Sequence, residues 1–380
     1  MKIGIPKETL PGETRVALVP QAVAGLLKKK HEVFVESGAG AGSFISDEDY
    51  IKAGATVVPS AREVYDAADI VFKVQAPDKQ EAELLREGTA LIAFLAPFNS
   101  PETIRTLKQR KITGFSMEFV PRITRAQSMD ALSSMATLAG YKAVLIAADR
   151  LYRMFPLLTT AAGTIAPSTV LVLGAGVAGL QAIATAKRLG ARVEAFDPRP
   201  VVKEQVESLG AVFIPMETAE DAQTAGGYAR ELGEDFLRRE REAIAGRLPK
   251  CDAVITTAQI FGKKAPVLIT EDMVKLMPRG AVIVDLAAEQ GGNCELTKAG
   301  ETVEQHGVAI HGAVNLPATL PINASQMYSK NVVTLFDHLY KDPEKGLDFE
   351  DEITRGACLT HAGEIRNDVV RQAVEPDKEA

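Results

Sequence analysis

Two groups of residues in this 380-residue chain have types and spacing suited to chemistry. The first is Val170–Ile183, VLVLGAGVAGLQAI, in which an aliphatic run ends in the pattern G-x-G-x-x-G. Gly174 would allow a tight turn, Gly176 the close approach of a pyrophosphate, and Gly179 the packing of a helix on a strand. The N–H groups at the start of that helix attract the negative charge of a pyrophosphate. This stretch predicts a dinucleotide site.

Asp197 follows a second apolar strand, Arg192–Phe196, and supplies the acid that such a site uses. A carboxylate there can accept both hydroxyls of an adenine ribose and would repel a 2′-phosphate, which predicts NAD rather than NADP. Arg199 nearby slightly weakens the preference for NAD over NADP. A lone G-x-G-x-x-G is a weak signal, but strand, helix, second strand and acid stand here in register. The predicted cofactor-binding residues of this region are Gly174, Ala175, Gly176, Val177, Ala178, Gly179, Asp197, Pro198, Arg199, Ala258 and Gln259.

The second group is the polar stretch 121–134, PRITRAQSMDALSS, which lies between the last predicted strand of one domain and a long helix. Arg122 and Gln127 fall in the loop, and Asp130 and Ser133 fall three residues apart on one face of the helix. We expect this stretch at an interdomain cleft. Helix capping is the simpler explanation for one or two of these residues, but it does not account for the whole set.

Short apolar strands alternate with helical segments on either side of these groups, which predicts parallel sheets covered on both faces. The predicted fold is therefore α/β, with two Rossmann-like, doubly wound parallel-sheet domains joined by long helices. Residues 1–137 with 322–380 are predicted to form an N-terminal domain completed by the C-terminal segment, and 138–321 the NAD(H)-binding domain. Six strands are expected in each domain, at Lys2–Ile5, Val33–Val35, Thr56–Val58, Ile70–Lys73, Ala90–Phe94 and Ile112–Phe115, then Thr169–Leu173, Arg192–Phe196, Ala211–Ile214, Ala253–Thr256, Ala281–Asp285 and Val308–Ile310.

The segments between and after these strands give weaker signals. The long helices are expected at Met129–Leu151 and near Ala324–Tyr340, and the charged tail from Asp342 is expected to break into turns. The glycine-rich residues 37–43 indicate a flexible turn with no good helix after it. The polar residues 216–233 contain Tyr228 beside a double glycine, which indicates a lid over the cofactor, although a surface insertion is the alternative.

Bulk composition excludes several classes of protein. The formal net charge of −7 argues against a nucleic-acid partner. The three cysteines and five histidines are scattered, so they predict neither a disulfide framework nor a metal site, and they fit a reducing cytoplasm. No unbroken apolar run reaches the roughly 18 residues of a membrane span, and the first residues do not have the pattern of a signal peptide.

At this point the chain resembles, over nearly its whole length, the NAD(H)-binding component (domain I, or α1 subunit) of proton-translocating NAD(P) transhydrogenase. PRITRAQSMDALSS matches the Arg-Gln-Asp loop of that family at its functional positions. The resemblance implies that Arg122 and Asp130 fix the nicotinamide carboxamide with help from Ser133, and that Gln127 also positions the NADP(H) of a partner. It also implies that Tyr228 belongs to the mobile loop of the family.

The resemblance further implies direct hydride transfer between NADH and NADP bound on a partner subunit. Its implied partners are a second copy of the chain, an NADP(H)-binding subunit, and membrane-spanning subunits that couple the transfer to proton translocation. The chain is then expected at the cytoplasmic face of the inner membrane, attached peripherally through those subunits. We expect no metal to be involved.

Alanine dehydrogenase is the nearest rival, since it shares the opening motif KE…ETRVALVP and the later stretch DLA…QGG. In that enzyme an Arg and a Lys hold pyruvate, and a His and an Asp carry protons. Arg15 and Lys73 are retained here, but Ala96 stands where the histidine belongs and Glu289 where the aspartate belongs. Reductive amination needs a proton donor and acceptor, whereas hydride transfer between two nicotinamides does not, so these differences favour transhydrogenase. A non-catalytic NAD-binding regulatory module is a third possibility, although it would not need the polar set at 121–134.

Overall fold

The structure is a computed structural model, and it describes residues 1–216, 233–260, 262–342 and 346–375. The chain divides into two compact units: unit 1 is Met1–Met135 with Ala318–Ala380, and unit 2 is Ala136–Pro317. The strands are β1 Lys2–Ile5, β2 Glu32–Glu36, β3 Thr56–Val58, β4 Ile70–Phe72, β5 Ala90–Ala93, β6 Thr113–Ser116, β7 Leu158–Thr160, β8 Gly163–Ile165, β9 Thr169–Leu173, β10 Arg192–Phe196, β11 Val212–Phe213, β12 Ala253–Thr256, β13 Val282–Asp285, β14 Thr302–Gln305, β15 Val308–Gly312, β16 Cys358–His361 and β17 Glu364–Ile365.

The α-helices alternate with these strands along most of the chain. They are α1 Pro20–Lys28, α2 Asp47–Lys52, α3 Ala61–Ala67, α4 Lys79–Leu84, α5 Pro101–Gln109, α6 Ala131–Arg150, α7 Val177–Arg188, α8 Lys203–Ser208, α9 Glu234–Ala245, α10 Glu271–Val274, α11 Pro321–Leu339, α12 Glu352–Ala357 and α13 Asp368–Val374.

Unit 1 contains a sheet with the order β17-β16-β6-β5-β4-β1-β2-β3. The six strands from β6 to β3 are parallel, and their order corresponds to 3-2-1-4-5-6 of the doubly wound fold. Every residue of β4, β5 and β6 is buried, as expected for parallel strands with helices on both faces. The C-terminal strands β16 and β17 extend this sheet with antiparallel pairing.

Unit 2 contains a sheet with the order β11-β10-β9-β12-β13-β15-β14. Its first six strands are parallel and again follow the order 3-2-1-4-5-6, while β14 is an antiparallel edge strand. The order reverses between β9 and β12. In such sheets ligands bind at the carboxyl ends of the strands beside this reversal, so the G-x-G-x-x-G turn after β9 lies at the expected place.

The α/β class and the two doubly wound sheets are as predicted, but three local expectations were wrong. A helix, α2, does follow the glycine-rich residues 37–43, because Ser46 and Asp49 form a capping box at its start. The tail after Asp342 does not consist of turns, since its described residues form α12, β16, β17 and α13. Unit 2 has more than six strands, because β14 and the hairpin β7–β8 are added.

Helix α6 is long and apolar enough, by length and composition alone, to cross a membrane, although the sequence has no unbroken apolar run of that length. One of its faces belongs to the core of unit 2, where Ala143, Val144 and Ala147 are fully buried. A Cβ placed on Gly140 would lie 2.1 Å from the Ala178 carbonyl oxygen. Helix α6 therefore packs directly on the start of α7.

Candidate nucleotide-binding site

The turn between β9 and α7 has the geometry that a pyrophosphate requires. Gly174 ends the strand at φ +96°, a backbone conformation that L side chains rarely adopt. Gly176 is the N-cap of α7, and no side chain caps the helix there. Because the 12-residue helix offers uncapped N–H groups and the positive end of its dipole, its start is suited to an anionic ligand.

The three glycines of the motif meet different surroundings. A Cβ on Gly179 would lie 1.9 Å from the Gly174 carbonyl oxygen, so the helix can approach the strand this closely only without a side chain. A Cβ on Gly176 would meet nothing within 4 Å, so that side of the turn is open. The residues fit a dinucleotide: Gly179 closes the packing, and Gly176 leaves room for the phosphates.

Asp197 is buried and its carboxylate organises the same turn. Its Oδ2 accepts a hydrogen bond from the Ala175 N–H at 2.7 Å. The Arg199 guanidinium donates to both carboxylate oxygens, from Nε at 2.9 Å and from Nη2 at 2.8 Å, and this bonding raises the pKa of Arg199. The sequence analysis missed this pairing. A ribose that binds Asp197 would have to share the carboxylate with Arg199 or displace it.

Residues at the ends of β12 and β13 complete this edge of the sheet. Ala258 donates its N–H to Asn293 Oδ1 at 3.0 Å, and the exposed Gln259 donates from Nε2 to the Leu286 carbonyl at 2.9 Å. The fully buried Asp285 holds the loop around Asn293, whose N–H it accepts at 2.8 Å. Sequence reasoning missed Asp285 and Asn293 as organisers, although an acid directly after the apolar run VIV was a usable signal.

Glu240 on α9 was also not predicted from the sequence, although it lies near Asp197 in unit 2. It is buried one helical turn before the core residue Ile244, with Asp197 near enough to act on its charge. Burial and the charge of Asp197 raise the pKa of Glu240 to about 7, and Arg241 only partly opposes this. The buried carboxyl of Glu240, near the Asp197 that is predicted to bind the ribose, therefore has a pKa near neutral pH.

We expect Glu240 to make unfolding pH-dependent. Because its pKa is higher in the folded than in the unfolded chain, its stabilising contribution is present below pH 4.5 and is lost as the pH rises through 7. At pH 8, Glu240→Gln should raise the free energy of unfolding by ~1–3 kcal/mol, and near pH 4.5 it should change little. Urea unfolding across this range measures the effect. Glu242→Gln, at an exposed position of the same helix, is the control, and equal pH profiles for Glu240→Gln and wild type would contradict the assignment.

In unit 1 the structure brings together two of the four predicted nicotinamide residues. Asp130 caps α6: its Oδ1 accepts the Ser133 N–H at 2.8 Å, and its Oδ2 accepts the Ser133 hydroxyl at 2.6 Å. Helix capping, the simpler explanation offered for one or two residues of this stretch, therefore accounts for the contact between Asp130 and Ser133. Arg122 and Gln127 are exposed, and Gln127 lies in a 3₁₀ segment, Thr124–Met129, whose apolar residues Ala126 and Met129 are buried.

Three positions used in the comparison with alanine dehydrogenase lie in unit 1, namely the differing Ala96 and the retained Arg15 and Lys73. Ala96 has φ +42°, and its N–H donates at 2.7 Å to Glu118, whose pKa is raised by desolvation despite several hydrogen bonds. Arg15 is buried and paired with Glu13 at 2.6 Å. Lys73 is buried and paired with Glu8 and Glu81, at 3.3 and 2.7 Å. Tyr228, the predicted lid residue, lies outside the described residues.

Substitution of Asp197 tests the predicted cofactor choice. Asp197→Ala removes the ribose acceptor and also releases the Arg199 guanidinium, which could then pair with a 2′-phosphate. We expect the difference between the binding free energies of NADH and NADPH to shrink by ~1–3 kcal/mol, measured by titration calorimetry. The double substitution Asp197→Ala/Arg199→Ala should recover part of the difference by weakening NADPH binding. Equal affinities for NADH and NADPH in the wild-type chain would overturn the assignment.

Both units of the chain match known proteins. Residues 4–139 match the family described as alanine dehydrogenase/PNT, N-terminal domain, and residues 143–368 match its C-terminal domain. The first part of the NAD(P) transhydrogenase alpha subunit of Rhodospirillum rubrum is 49% identical over 374 residues, which cover 96% of this chain and 97% of that protein. The solved transhydrogenase of Sinorhizobium meliloti aligns with a TM-score of 0.85 at 42% identity, covering 97% of this chain and 100% of that one.

The alanine dehydrogenase of Methanococcus maripaludis is less similar, at 33% identity over 328 residues, which cover 84% of this chain and 82% of that protein. Both units of the chain are thus accounted for by one family, and the greater identity is with transhydrogenase. The chain belongs to the alanine dehydrogenase/PNT family, and within it to the group of the NAD(P) transhydrogenase alpha subunits.

Proposed function

We propose that the chain is the NAD(H)-binding subunit of a proton-translocating NAD(P) transhydrogenase, in which NADH gives its hydride directly to NADP⁺ held by a partner subunit. The observation that carries the proposal is the open, uncapped G-x-G-x-x-G turn at the strand-order reversal of unit 2, with Asp197 bound to the same turn. The pyrophosphate would be bound by Gly174–Gly179, and the ribose by Asp197.

The chain's own contribution is binding and positioning, because the nicotinamide supplies the redox chemistry when it is bound. We infer that Arg122, Asp130 and Ser133 orient the nicotinamide end. In this role Asp130 would need to keep its cap on Ser133 while a carboxamide approaches. The exposed side chain of Gln127 is available to align a second nucleotide. Correct alignment of reacting atoms supplies a large part of the rate in such transfers.

The names of the relatives, which are alpha subunits, support an assembly of several subunits, and the proposed partners are those that the family resemblance implies. They are a second copy of the chain, an NADP(H)-binding subunit, and membrane-spanning subunits that couple hydride transfer to proton movement. Attachment to the cytoplasmic face of the membrane through those subunits belongs to the same proposal.

Alanine dehydrogenase activity is the second candidate, and the retention of Arg15 and Lys73 is the observation in its favour. Against it stands Ala96, because a methyl group cannot exchange the proton that reductive amination requires. A non-catalytic NAD-binding module is the third candidate. It would be supported by NAD binding without hydride transfer in the presence of every partner subunit.

Reconstitution separates these candidates. Alone with NADH, pyruvate and ammonium, the chain should show no NADH oxidation, and alone with NADH and NADP⁺ it should be nearly inert. Mixed with an NADP(H)-binding transhydrogenase component, it should transfer hydride rapidly between the bound nucleotides, as followed by stopped-flow absorbance with a nicotinamide analogue. Rapid oxidation of NADH by pyruvate and ammonium would instead identify an alanine dehydrogenase.

A further inference from the structure

The backbone around Gln127 is held from both sides by residues of the C-terminal part of unit 1. Gln127 lies in the 3₁₀ segment Thr124–Met129, and such segments have weaker hydrogen-bond geometry than α-helices. At its two ends, the Ala126 N–H donates to the Ile123 carbonyl at 3.0 Å, and the Asp130 N–H donates to the Gln127 carbonyl at 3.3 Å. Because 3₁₀ hydrogen bonds are weaker than those of an α-helix, contacts from outside the segment can help to fix the backbone at Gln127.

The first anchor follows Gln127. Asn331 on α11 donates from Nδ2 to the carbonyl oxygen of Ser128 at 2.9 Å. Asn331 is 5% exposed, and its Oδ1 is buried with no hydrogen-bond partner among the described residues. An unsatisfied buried amide oxygen costs stability, whereas an apolar side chain of similar size would not. The asparagine is therefore poorly explained by stability and well explained by the bond that it makes to the loop.

The second anchor precedes Gln127. Arg125 donates from Nη1 to Asp351 Oδ2 at 2.7 Å. The other oxygen of Asp351 accepts from His338 Nε2 at 2.8 Å and from the Ile353 and Thr354 N–H groups at the start of α12. Asp351 is thus fixed by two helices and can hold Arg125 in one place.

The hydrogen bonds to Asp351 favour its charged, carboxylate form. Burial alone would raise its pKa, but the hydrogen bonds from His338, the Thr354 N–H and Arg125 outweigh burial and hold the pKa of Asp351 well below its usual range. The Arg125 side chain remains 54% exposed, so its ion pair contributes little to the free energy of unfolding.

We propose that Asn331 and the chain Arg125–Asp351–His338 are positioning residues, which fix the backbone on both sides of Gln127 and so set where its side-chain amide stands during hydride transfer. This inference rests on the proposed function, since it gives Gln127 its task. It assigns no contact with nucleotide to the four residues.

Three variants test the inference in the reconstituted system with an NADP(H)-binding component. Asn331→Leu removes the donor to Ser128 together with the unsatisfied oxygen, and because water can replace the donor at the exposed Ser128, the unfolding temperature should change little. Arg125→Gln breaks the ion pair at an exposed site, and Arg125→Lys should restore part of the rate. Asn331→Leu and Arg125→Gln should each slow hydride transfer about tenfold with an unchanged NADH dissociation constant, because small displacements of aligned groups are costly. Lys111→Gln, which breaks an ion pair of equal length in unit 1, should have no effect.

A double-mutant cycle decides whether the residues act through Gln127. Asn331→Leu combined with Gln127→Asn should be no slower than Gln127→Asn alone, whereas independent effects would multiply. Hydrogen exchange of the 124–130 amides supplies a readout without any partner, and exchange should be faster in Asn331→Leu and Arg125→Gln than in Lys111→Gln. Normal rates and normal exchange in both anchor variants, or fully multiplicative rates, would overturn the inference. Absence of transfer in the wild-type mixture would instead refute the proposed function, and the exchange data would still test the anchors.

Discussion

Gln127→Asn is expected to slow hydride transfer to NADP⁺ on the partner by roughly 100-fold while the NADH dissociation constant changes less than about twofold. The substitution keeps the amide but withdraws it by one methylene, so binding groups remain and only alignment suffers. Misplacement of about 1 Å can cost a factor of this size. Single-turnover kinetics with saturating nucleotides measures the rate, and equilibrium titration measures the affinity.

Gln109→Asn is the matched control, because Gln109 is an exposed glutamine of unit 1 at the end of α5. Its rate should equal that of the wild type. Equal losses of rate and NADH affinity in Gln127→Asn would show that Gln127 is a binding residue and not an aligning one. An unchanged rate would remove Gln127 from the mechanism.

Alanine at two glycines of the motif is expected to affect stability differently: one substitution should lower the free energy of unfolding, and the other should leave it unchanged. In Gly179→Ala the new Cβ would lie 1.9 Å from the Gly174 carbonyl oxygen, so α7 must move away from the strand. We expect a loss of ~1–3 kcal/mol or more in the free energy of unfolding, and loss of NADH binding with it. In Gly176→Ala the Cβ enters open space, so stability should be kept while the NADH dissociation constant rises at least ~10-fold.

The comparison of these two variants distinguishes a packing glycine from a ligand glycine. Urea unfolding and NADH titration, applied to both proteins, provide the measurements. Gly25→Ala is the control, since a Cβ there meets nothing within 4 Å and Gly25 lies in α1. If Gly176→Ala bound NADH as tightly as the wild type, the open side of the turn would not be where the pyrophosphate lies.

The elements of both sheets could largely be predicted because they depend on local pattern. The strand Thr169–Leu173 has the predicted bounds, since a run of three β-branched residues and two leucines ends at a glycine with positive φ. β16 and β17 could not be predicted from the charged tail, because β16 joins the sheet by pairing with the distant β6 and β17 by pairing with β16. The short helix α2 was detectable only through its capping box, which is a four-residue signal.

The candidate site could be predicted only in part, because only some of its features depend on local sequence pattern. The glycine motif and Asp197 follow rules of backbone geometry and charge that are written in adjacent residues. The hydrogen bonds that Asp197 accepts from Arg199 and Ala175 depend on side-chain packing. The burial of Glu240 depends on side-chain packing as well. Asp130 and Ser133 were found together as predicted, but a helix cap accounts for their contact, and their role toward nicotinamide remains a prediction.

The way the C-terminal strands complete unit 1 has a consequence for how the chain is made. Unit 2 is one continuous segment, Ala136–Pro317, whereas unit 1 needs residues from both sides of it. The bond from the Gly114 N–H to Thr360 Oγ1 joins residues 246 positions apart. During synthesis unit 2 can close while the sheet of unit 1 still lacks β16 and β17, so the β6 edge of that sheet stays exposed until residues 358–365 have been made. The middle of this chain can therefore finish folding before its beginning does.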